Sequence, residues 1–581
     1  MNLKRIFPFL EWARRYNVGF FRGDLAAGLT VGVMLVPQGM AYAMIAGLPA
    51  HYGLFAAMAP LIVYALFGTS RQLAVGPVAL VSLLTAAAVG KMAPSGSEAY
   101  VQMAIMLAFV VGVIHLFMGV FRLGYLVNFL SHPVISGFTS AAAVIIALGQ
   151  VKHILGIQLP RGLKIYESIP RIVRQIPDVN VKALGIGLAG IGLILLAKRI
   201  KRMRVPGSLL AVVFGILAVV AFGFTADDLA LVGKIPSQLP RFKPVPVTWA
   251  LFKELLPVAG AIAIVGFMES YAVAKALQHR HKDYKVVAGQ ELIALGMANI
   301  VGSFFQSYTV EGGFGRSAVN DQAGAKTPLA GVISSVVVML ALLFLTPVFY
   351  YLPKAILGAI VIVAVVGLID VKEAKKLWVE NQMDFAMWMV TFWGTLLLGV
   401  EPGIALGVFL SLAMVLFRTT RPHVAVLGNV PGTHFYRNVK RFDNLITKDD
   451  VLIIRFDAQL FFANVNYFRD KVDELIENKG EGLRLVVLCF DSINNLDSTA
   501  AHVIKDMVEE YASKGIEIAF TGVKGPVRDA LSRAKILSEH TGDHFFMSIQ
   551  EAIDCYEHNC ISDPHKKGIK HADYIMQSNK D

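Results

Sequence analysis

Residues 77–90 have the sequence PVALVSLLTAAAVG, an uncharged and mostly apolar run of fourteen residues. As an α-helix these residues would extend about 21 Å at about 1.5 Å per residue, whereas the hydrocarbon core of a membrane is about 30 Å thick. A second run, residues 315–325 with the sequence GRSAVNDQAGA, is shorter still. Short segments interrupted by Gly or Pro, at matching places in two halves of a membrane protein, are typical of a transporter's binding site.

These two runs are the third and tenth of fourteen apolar segments. The chain has 581 residues, of which 55% are hydrophobic and 17% charged, whereas soluble proteins have about 25% charged residues. Most of the chain is therefore predicted to lie in lipid. The predicted segments are 23–47, 51–68, 77–90, 101–121, 129–149, 181–197, 207–223, 254–274, 287–305, 315–325, 328–350, 355–369, 384–400 and 402–418.

The positions of the basic residues predict the orientation. The formal net charge is +12, and Lys and Arg cluster in loops 198–204, 280–285 and 372–376. With an even number of segments and the N-terminus inside, these loops and both termini are cytoplasmic, which predicts a multi-pass protein of the cell (plasma) membrane. Loop 150–178 is also basic although it falls outside, a minor conflict with this rule. Because the basic residues of the cytoplasmic loops account for the net positive charge, nucleic acid is not expected as a partner.

The composition changes near Arg418, where charged residues become frequent and apolar runs shorten. Strand-like and helix-like runs then alternate, which predicts a small α/β domain. We therefore predict a cytoplasmic N-terminal segment (1–22), a transmembrane transport domain (23–420), a cytoplasmic domain (421–560) and a polar tail (561–581). The three cysteines, Cys489, Cys555 and Cys560, lack the spacing of a zinc site and are expected to be free thiols.

Several stretches, in order along the chain, resemble the SulP family of anion transporters. In the membrane part they are residues 23–30 (GDLAAGLT), 37–43 (PQGMAYA), 48–57 (LPAHYGLFAA), 68–77 (GTSRQLAVGP), 266–270 (GFMES), 299–304 (NIVGSF), 315–317 (GRS) and 401–405 (EPGIA). Residues 486–491 (VVLCFD) and 496–500 (LDSTA) resemble the STAS domain that accompanies this family.

The resemblance implies an α-helical polytopic protein with fourteen segments arranged as a 7+7 inverted repeat. Segments 1–4 and 8–11 would form a core domain and the others a gate domain, followed by a C-terminal α/β STAS domain. It also implies a homodimer, movement of core against gate, and a transporter that is not an enzyme and needs no metal or cofactor. In soluble relatives of the STAS domain the hydroxyl matching Thr499 can be phosphorylated, so Ser498 and Thr499 are candidate regulatory residues.

The starts of the two short segments have the chemistry that an anion requires. Helix N-termini supply free N–H groups and about half a positive charge. Gly76 and Pro77 open the third segment, where Pro loses nothing by lacking an N–H, so the amides of Val78 and Ala79 would face the substrate. Further candidates are residues that add flexibility, a cation, hydroxyls or an amide: Gly315, Arg316, Ser317, Gln38 and Tyr42. The last two lie four residues apart, on one helical face.

Glu269 is the candidate for ion coupling. It lies in an otherwise uncharged stretch, and a carboxylate at membrane depth is costly unless it is protonated or paired. We expect it to carry a proton, and the resemblance adds that family members often place a coupling carboxylate in this helix. A structural ion pair with Arg316 is the alternative, and a sodium site could use Glu269 together with Ser270.

Three functions remain open from the sequence. The first is secondary active transport of an inorganic anion, with proton-coupled sulfate uptake (symport) first and sodium-coupled bicarbonate or dicarboxylate transport as the alternative. The second is a passive anion channel or exchanger, which has less need of Glu269. The third is a membrane-anchored STAS sensor, against which the paired short segments argue.

Overall fold

The computed structural model describes residues 7–125, 131–160, 163–200, 206–534 and 544–558. The chain forms two compact units, Met1–Leu412 and Ala413–Asp581. Each unit has its own packing and is described by itself.

The first unit is helical. Its helices are α1 (Phe9–Ala13), α2 (Val18–Ile45), α3 (His51–Phe55), α4 (Ala59–Phe67), α5 (Ala79–Val89), α6 (Glu98–Val120), α7 (His132–Leu155), α8 (Ile165–Arg174), α9 (Val181–Arg199), α10 (Gly207–Ala221), α11 (Trp249–His281), α12 (Ala288–Phe304), α13 (Phe314–Gln322), α14 (Leu329–Phe344), α15 (Thr346–Phe349), α16 (Lys354–Val366), α17 (Val371–Glu380), α18 (Gln382–Leu398) and α19 (Val400–Thr420), the last of which continues into the second unit. Two short strands, β1 (Val75–Gly76) and β2 (Glu311–Gly312), precede α5 and α13.

Each of the fourteen predicted segments overlaps a helix of the structure. Within the described ranges, seven helical stretches have the length and hydropathy needed to cross a membrane, and four shorter apolar helices accompany them. The two segments predicted to be too short are α5 and α13, with 11 and 9 residues. The basic loop 150–178 is partly helical, because α7 continues to Leu155 and α8 follows.

The helices pack as two bundles. In one, α2 packs against α14, and α12 packs against α4 and α6. In the other, α7 packs against α16 and α18, and α9 packs against α10 and α16. Their membership agrees with the predicted core and gate, although α2 of the first group also contacts α10 and α16 of the second. Small residues allow close packing in the core: a Cβ at Gly112 of α6 would lie 2.8 Å from the carbonyl oxygen of Gly296 in α12, as expected of membrane helices.

The second unit is an α/β layer structure, as predicted. Strands β3 (Val424–Asn429), β4 (Tyr436–Asn438), β5 (Val451–Phe456), β6 (Leu485–Cys489), β7 (Glu517–Thr521) and β8 (Phe545–Phe546) form one sheet in the order β4-β3-β5-β6-β7-β8. Pairing is parallel from β5 to β8, whereas β3 is antiparallel to both neighbours. The helices are α20 (Val465–Lys479), α21 (Ser498–Ser513), α22 (Gly525–Arg533) and α23 (Ile549–Glu557).

The cysteines only partly follow the expectation. Cys489 is a free, buried thiol. Cys555 is disulfide-bonded, so the expectation of a free thiol is wrong there. Cys560 lies outside the described residues.

Candidate functional site

Strands β1 and β2 bring the two short helices together. They pair antiparallel, with Val75 opposite Gly312 and Gly76 opposite Glu311. Helix α5 begins directly after extended Val78, and α13 begins after extended Gly313, in both cases without a side-chain hydrogen bond from the N-cap residue. The first N–H groups of a helix have no partner within it. Two helix N-termini therefore lie next to each other with donors available to an anion.

Gly76 provides the backbone conformation that this junction needs. Its φ of +149° is one that residues with a side chain rarely adopt. A Cβ added at Gly76 would also lie 3.4 Å from Nη2 of Arg316. The space between the two helix starts is thus filled on one side by a guanidinium group.

Arg316 lies in the first turn of α13 and is only 3% exposed. Its Nη1 donates a hydrogen bond to the carbonyl oxygen of Pro77. Its Nε and Nη2 are buried, and neither has a hydrogen-bond partner among the described residues. A buried, unsatisfied donor costs free energy, and a bound anion would satisfy both donors of this guanidinium.

Gln38 and Tyr42 are buried on α2. Oε1 of Gln38 has no hydrogen-bond partner within the described ranges. The Tyr42 hydroxyl interacts electrostatically with both Arg316 and Glu269. The structure therefore brings Tyr42 into the same polar region as Arg316.

Ser317 and Gly315 have different surroundings from Arg316. Ser317 is fully buried, and its Oγ accepts a hydrogen bond of 2.9 Å from the backbone N–H of Ala74. Its hydroxyl thus links α13 to the residue before β1. Gly315 is exposed, and a Cβ there would meet nothing within 4 Å. A close approach occurs two residues earlier, at Gly313, where a Cβ would lie 2.9 Å from Nη2 of Arg316.

Glu269 of α11 is partly buried, and its Oε2 is buried without a hydrogen-bond partner in the described part of the chain. It interacts electrostatically with Arg316. No ion pair within 4.0 Å joins the two side chains among the described residues, so the direct structural ion pair considered as an alternative is not formed in this conformation.

Several residues of this region were not predicted as site residues. Tyr308 is fully buried, shares a hydrogen bond of 3.1 Å with Ser82 of α5, and interacts electrostatically with Arg316. Glu311 of β2 is also fully buried. A lone carboxylate in the otherwise uncharged stretch before the tenth segment was the signal that the sequence offered for Glu311.

The two candidate regulatory residues lie at the start of α21. Ser498 and Thr499 are its first two residues, and both are exposed. The N-cap is Asp497, whose Oδ1 accepts a hydrogen bond of 2.8 Å from the N–H of Ala500. The two hydroxyl residues are therefore not required to cap this helix.

A cavity of about 600 Å³ lies in the second unit, next to β3, β4 and α23. Its two lysines already have partners: Lys448 pairs with Glu557, and Lys479 donates to the carbonyl oxygen of Lys448 at 2.6 Å. We therefore place the candidate anion site at the two short helices, where the polar groups are unsatisfied.

Comparison with known proteins identifies the family. Residues 21–391 match the Sulfate permease family, and residues 444–552 match the STAS domain. "Sulfate transporter 4.1, chloroplastic" of Arabidopsis thaliana is 39% identical over 565 residues, which cover 94% of this chain and 82% of that protein. "Probable sulfate transporter 4.2" of the same plant is 40% identical, with 95% and 84% covered.

Solved structures resemble the fold over most of the chain. The murine Solute Carrier 26 family member A9 anion transporter, in its inward-facing state, has a TM-score of 0.89 and 26% identity, with 96% of this chain and 94% of that chain covered. The transmembrane domain of a cyanobacterial bicarbonate transporter, BicA, has a TM-score of 0.58 and 22% identity, with 68% and 98% covered, and supports the fold alone. The chain therefore belongs to the sulfate permease family, whose members are membrane transporters and not enzymes, and it carries the STAS domain as a second, C-terminal unit.

Proposed function

We propose that this protein is a secondary active transporter that takes up an inorganic anion, with sulfate as the substrate. The single observation that carries this proposal is the pair of unsatisfied Arg316 donors beside the N-termini of α5 and α13. A tetrahedral dianion needs many donors, and this region offers a guanidinium and two sets of backbone N–H groups. Relatives named as sulfate transporters support sulfate over other anions.

The proposed substrate-binding residues are those predicted from the sequence, with the geometry described above. They are Gln38, Tyr42, Gly76, Pro77, Val78, Ala79, Gly315, Arg316 and Ser317. In this proposal Arg316 supplies the cation, and the amides of Val78 and Ala79 supply backbone donors. Gly76 gives the backbone its required path, and Ser317 holds α13 against β1.

We propose that transport is coupled to protons through Glu269. Its Oε2 is buried and has no hydrogen-bond partner among the residues that the structure describes, and the side chain interacts electrostatically with Arg316. A protonated Glu269 leaves the Arg316 charge free for the anion, whereas an ionised Glu269 competes for it. Binding of anion and proton would therefore favour each other, as a symporter requires. Sodium-coupled transport of bicarbonate or a dicarboxylate is the alternative.

The remaining proposals concern the setting of the transporter. We propose a multi-pass protein of the plasma membrane (the inner membrane of a bacterium), with both termini cytoplasmic and residues 23–420, 421–560 and 561–581 as transport domain, STAS domain and tail. The basic loops support this orientation. A homodimer and phosphorylation at Ser498 or Thr499 rest on the family resemblance, and light scattering in detergent and mass spectrometry test them.

The deciding experiment is uptake of labelled sulfate into proteoliposomes with an inward proton gradient, an inward sodium gradient or neither. The wild type is compared with Glu269→Gln and with the control Glu254→Gln, an exposed glutamate on the same helix. We expect accumulation only with the proton gradient, its loss in Glu269→Gln and its retention in Glu254→Gln.

Other outcomes select the alternatives. Accumulation driven by sodium would move the proposal to bicarbonate and dicarboxylates, tested in the same vesicles. Full concentrative uptake by Glu269→Gln would contradict the coupling role. Downhill flux without accumulation would indicate a passive channel or exchanger. Failure to bind or move any anion would favour the STAS sensor.

A further inference from the structure

A second polar cluster lies behind the candidate anion site and is not explained by it. It consists of His115 of α6, Ser270 of α11 and Glu311 of β2, each with 1% or less of its surface exposed. Oγ of Ser270 donates to Oε2 of Glu311 at 2.9 Å and accepts from the N–H of Gly312 at 2.8 Å. One oxygen of Glu311 is thus satisfied by a hydroxyl.

The other oxygen of Glu311 faces the histidine. Oε1 lies 3.7 Å from Nδ1 of His115, and both atoms are buried without a hydrogen-bond partner among the described residues. Nε2 of His115 lies 2.8 Å from the carbonyl oxygen of Ala263. A carbonyl oxygen only accepts, so Nε2 carries a hydrogen and Nδ1 of the neutral ring is an acceptor.

This arrangement requires a bound proton. If Glu311 were ionised and His115 neutral, a buried carboxylate would face a lone pair, with Ser270 as its one donor in the described part of the chain. Such a charge is strongly disfavoured in a protein interior. One proton removes the conflict, on either Glu311 or His115. A proton on His115 would leave two buried charges 3.7 Å apart without a hydrogen bond between them, whereas a proton on Glu311 leaves both groups neutral, which costs less desolvation.

The charged and titratable neighbours do not change this balance. Glu269 of α11 interacts electrostatically with Glu311 and opposes a negative charge there. Arg316 of α13 has its Nη1 engaged by Pro77 and makes no ion pair with Glu311 within 4.0 Å among the described residues. Strand β1, which pairs with β2, contributes Val75 and Gly76, neither of which titrates. We propose that Glu311 is a proton-binding site, occupied in this conformation, with neutral His115 beside it.

The position of Glu311 links its protonation to the binding of the anion. Glu311 is the register partner of Gly76 and lies two residues before Gly313, the N-cap of α13. Loss of its proton would place a fixed negative charge behind both helix starts and oppose an anion bound there. This step rests on the proposed function, whereas the protonation of Glu311 does not.

Infrared spectroscopy of the full-length protein in lipid tests the protonation directly. At neutral pH we expect a carbonyl-stretching band of a buried, protonated carboxylic acid that is absent in Glu311→Gln. The band should remain in the control Glu98→Gln, an exposed residue in the first turn of the same helix as His115. Ser270→Ala, which removes the donor to Oε2, should shift the band and keep it. A spectrum unchanged by both Glu311→Gln and Ser270→Ala would overturn the proposal.

Calorimetric binding of sulfate across pH tests the link to the anion. The proton is lost as pH rises, so above the pH where the Glu311 band disappears, wild-type affinity should fall by up to about tenfold per pH unit. Glu311→Gln should lack that step. The same step in Glu311→Gln would refute the link. Absence of sulfate binding in every variant, with the band present, would contradict the proposed substrate and leave Glu311 as a proton-binding site.

Discussion

Arg316 donates a hydrogen bond to the carbonyl oxygen of Pro77, which lies 239 residues earlier in the chain. This contact joins the first turn of one short helix to the residue that leads into the other. The contact occupies Nη1 of the guanidinium, whereas Nε and Nη2 have no hydrogen-bond partner among the described residues. The contact between the two halves of the membrane unit is thereby part of the candidate site.

Arg316→Lys should weaken the anion site while keeping the charge. An ammonium group cannot hold Pro77 and also present two further donors in a plane. A hydrogen bond to a charged group is worth about 1.5–3 kcal/mol, so we expect sulfate affinity to fall by about 10- to 150-fold. The matched control is Arg280→Lys, whose partner Asp321 can pair with either cation. Unchanged affinity by calorimetry would remove Arg316 from the binding site.

Gly76→Ala should disturb the junction of β1 with α5. The alanine would need a φ near +149° and would place its Cβ 3.4 Å from Arg316. Such backbone strain costs about 1–3 kcal/mol. We expect a lower unfolding temperature in detergent and slower sulfate uptake. Gly260→Ala is the control, because a Cβ on that helical glycine meets nothing within 4 Å; equal stability of the two variants would contradict the strain.

Asp24→Asn should destabilise the core bundle. The Asp24 carboxylate accepts hydrogen bonds from the N–H groups of Lys326 and Thr327 at 2.6 and 2.9 Å, from the Thr327 hydroxyl at 2.5 Å, and from Tyr16 at 3.2 Å. An amide turns one of these acceptors into a donor, which costs about 1–3 kcal/mol. Thermal unfolding in detergent measures the loss, with exposed Asp227→Asn as the control. A melting temperature equal to wild type would show that the network is dispensable.

The STAS domain should lose stability in acid partly through Asp457. Burial alone would raise the pKa of Asp457, but hydrogen bonds from Arg455 at 2.6 Å and His423 at 2.9 Å outweigh it and hold the pKa below its usual value. A depressed pKa contributes stability above the pKa of the unfolded chain, and this stability is lost as pH falls through the folded value.

Hydrogen exchange of β5 in the full-length protein tests whether stability falls as the pH is lowered. We expect protection of residues 451–456 to fall between neutral pH and about pH 3, and Asp457→Asn to be less protected at neutral pH with a smaller change on acidification. Asp470→Asn, on the exposed face of α20, should follow the wild type. An Asp457→Asn profile parallel to the wild type across this range would contradict the prediction.

The sequence predicts the elements well because their signals are local. Apolar length located the membrane helices, and the alternation of strand-like and helix-like runs beyond Arg418 predicted the C-terminal α/β domain. The contacts between elements were not accessible in this way. Asp24 lies inside α2, which begins at Val18, and its carboxylate accepts hydrogen bonds from the backbone before α14, a contact that no local pattern indicates.

The residues of the candidate site also differ in whether the local sequence predicts them. Glycine, proline and arginine at two short segments predicted where an anion would bind, because each residue type reports its own chemistry. The pairing of Gly76 with Glu311, and the approach of His115 to the same carboxylate, connect residues far apart in the chain. Nothing local marks such pairs, so the approach of His115 to Glu311 is visible only in the contacts of the folded chain.

The hydrogen bonds of Asp24 join residues that are synthesised at different times. Its main partner, Thr327, follows 303 residues later. A ribosome adds roughly 5–20 residues per second, so Asp24 is synthesised roughly 15–60 s before Thr327. During this interval the Asp24 carboxylate lacks its donors at Lys326 and Thr327, and Tyr16 is the one of the partners named above that has already been made. Truncated chains ending before residue 327 should therefore be bound by membrane chaperones and degraded by quality-control proteases.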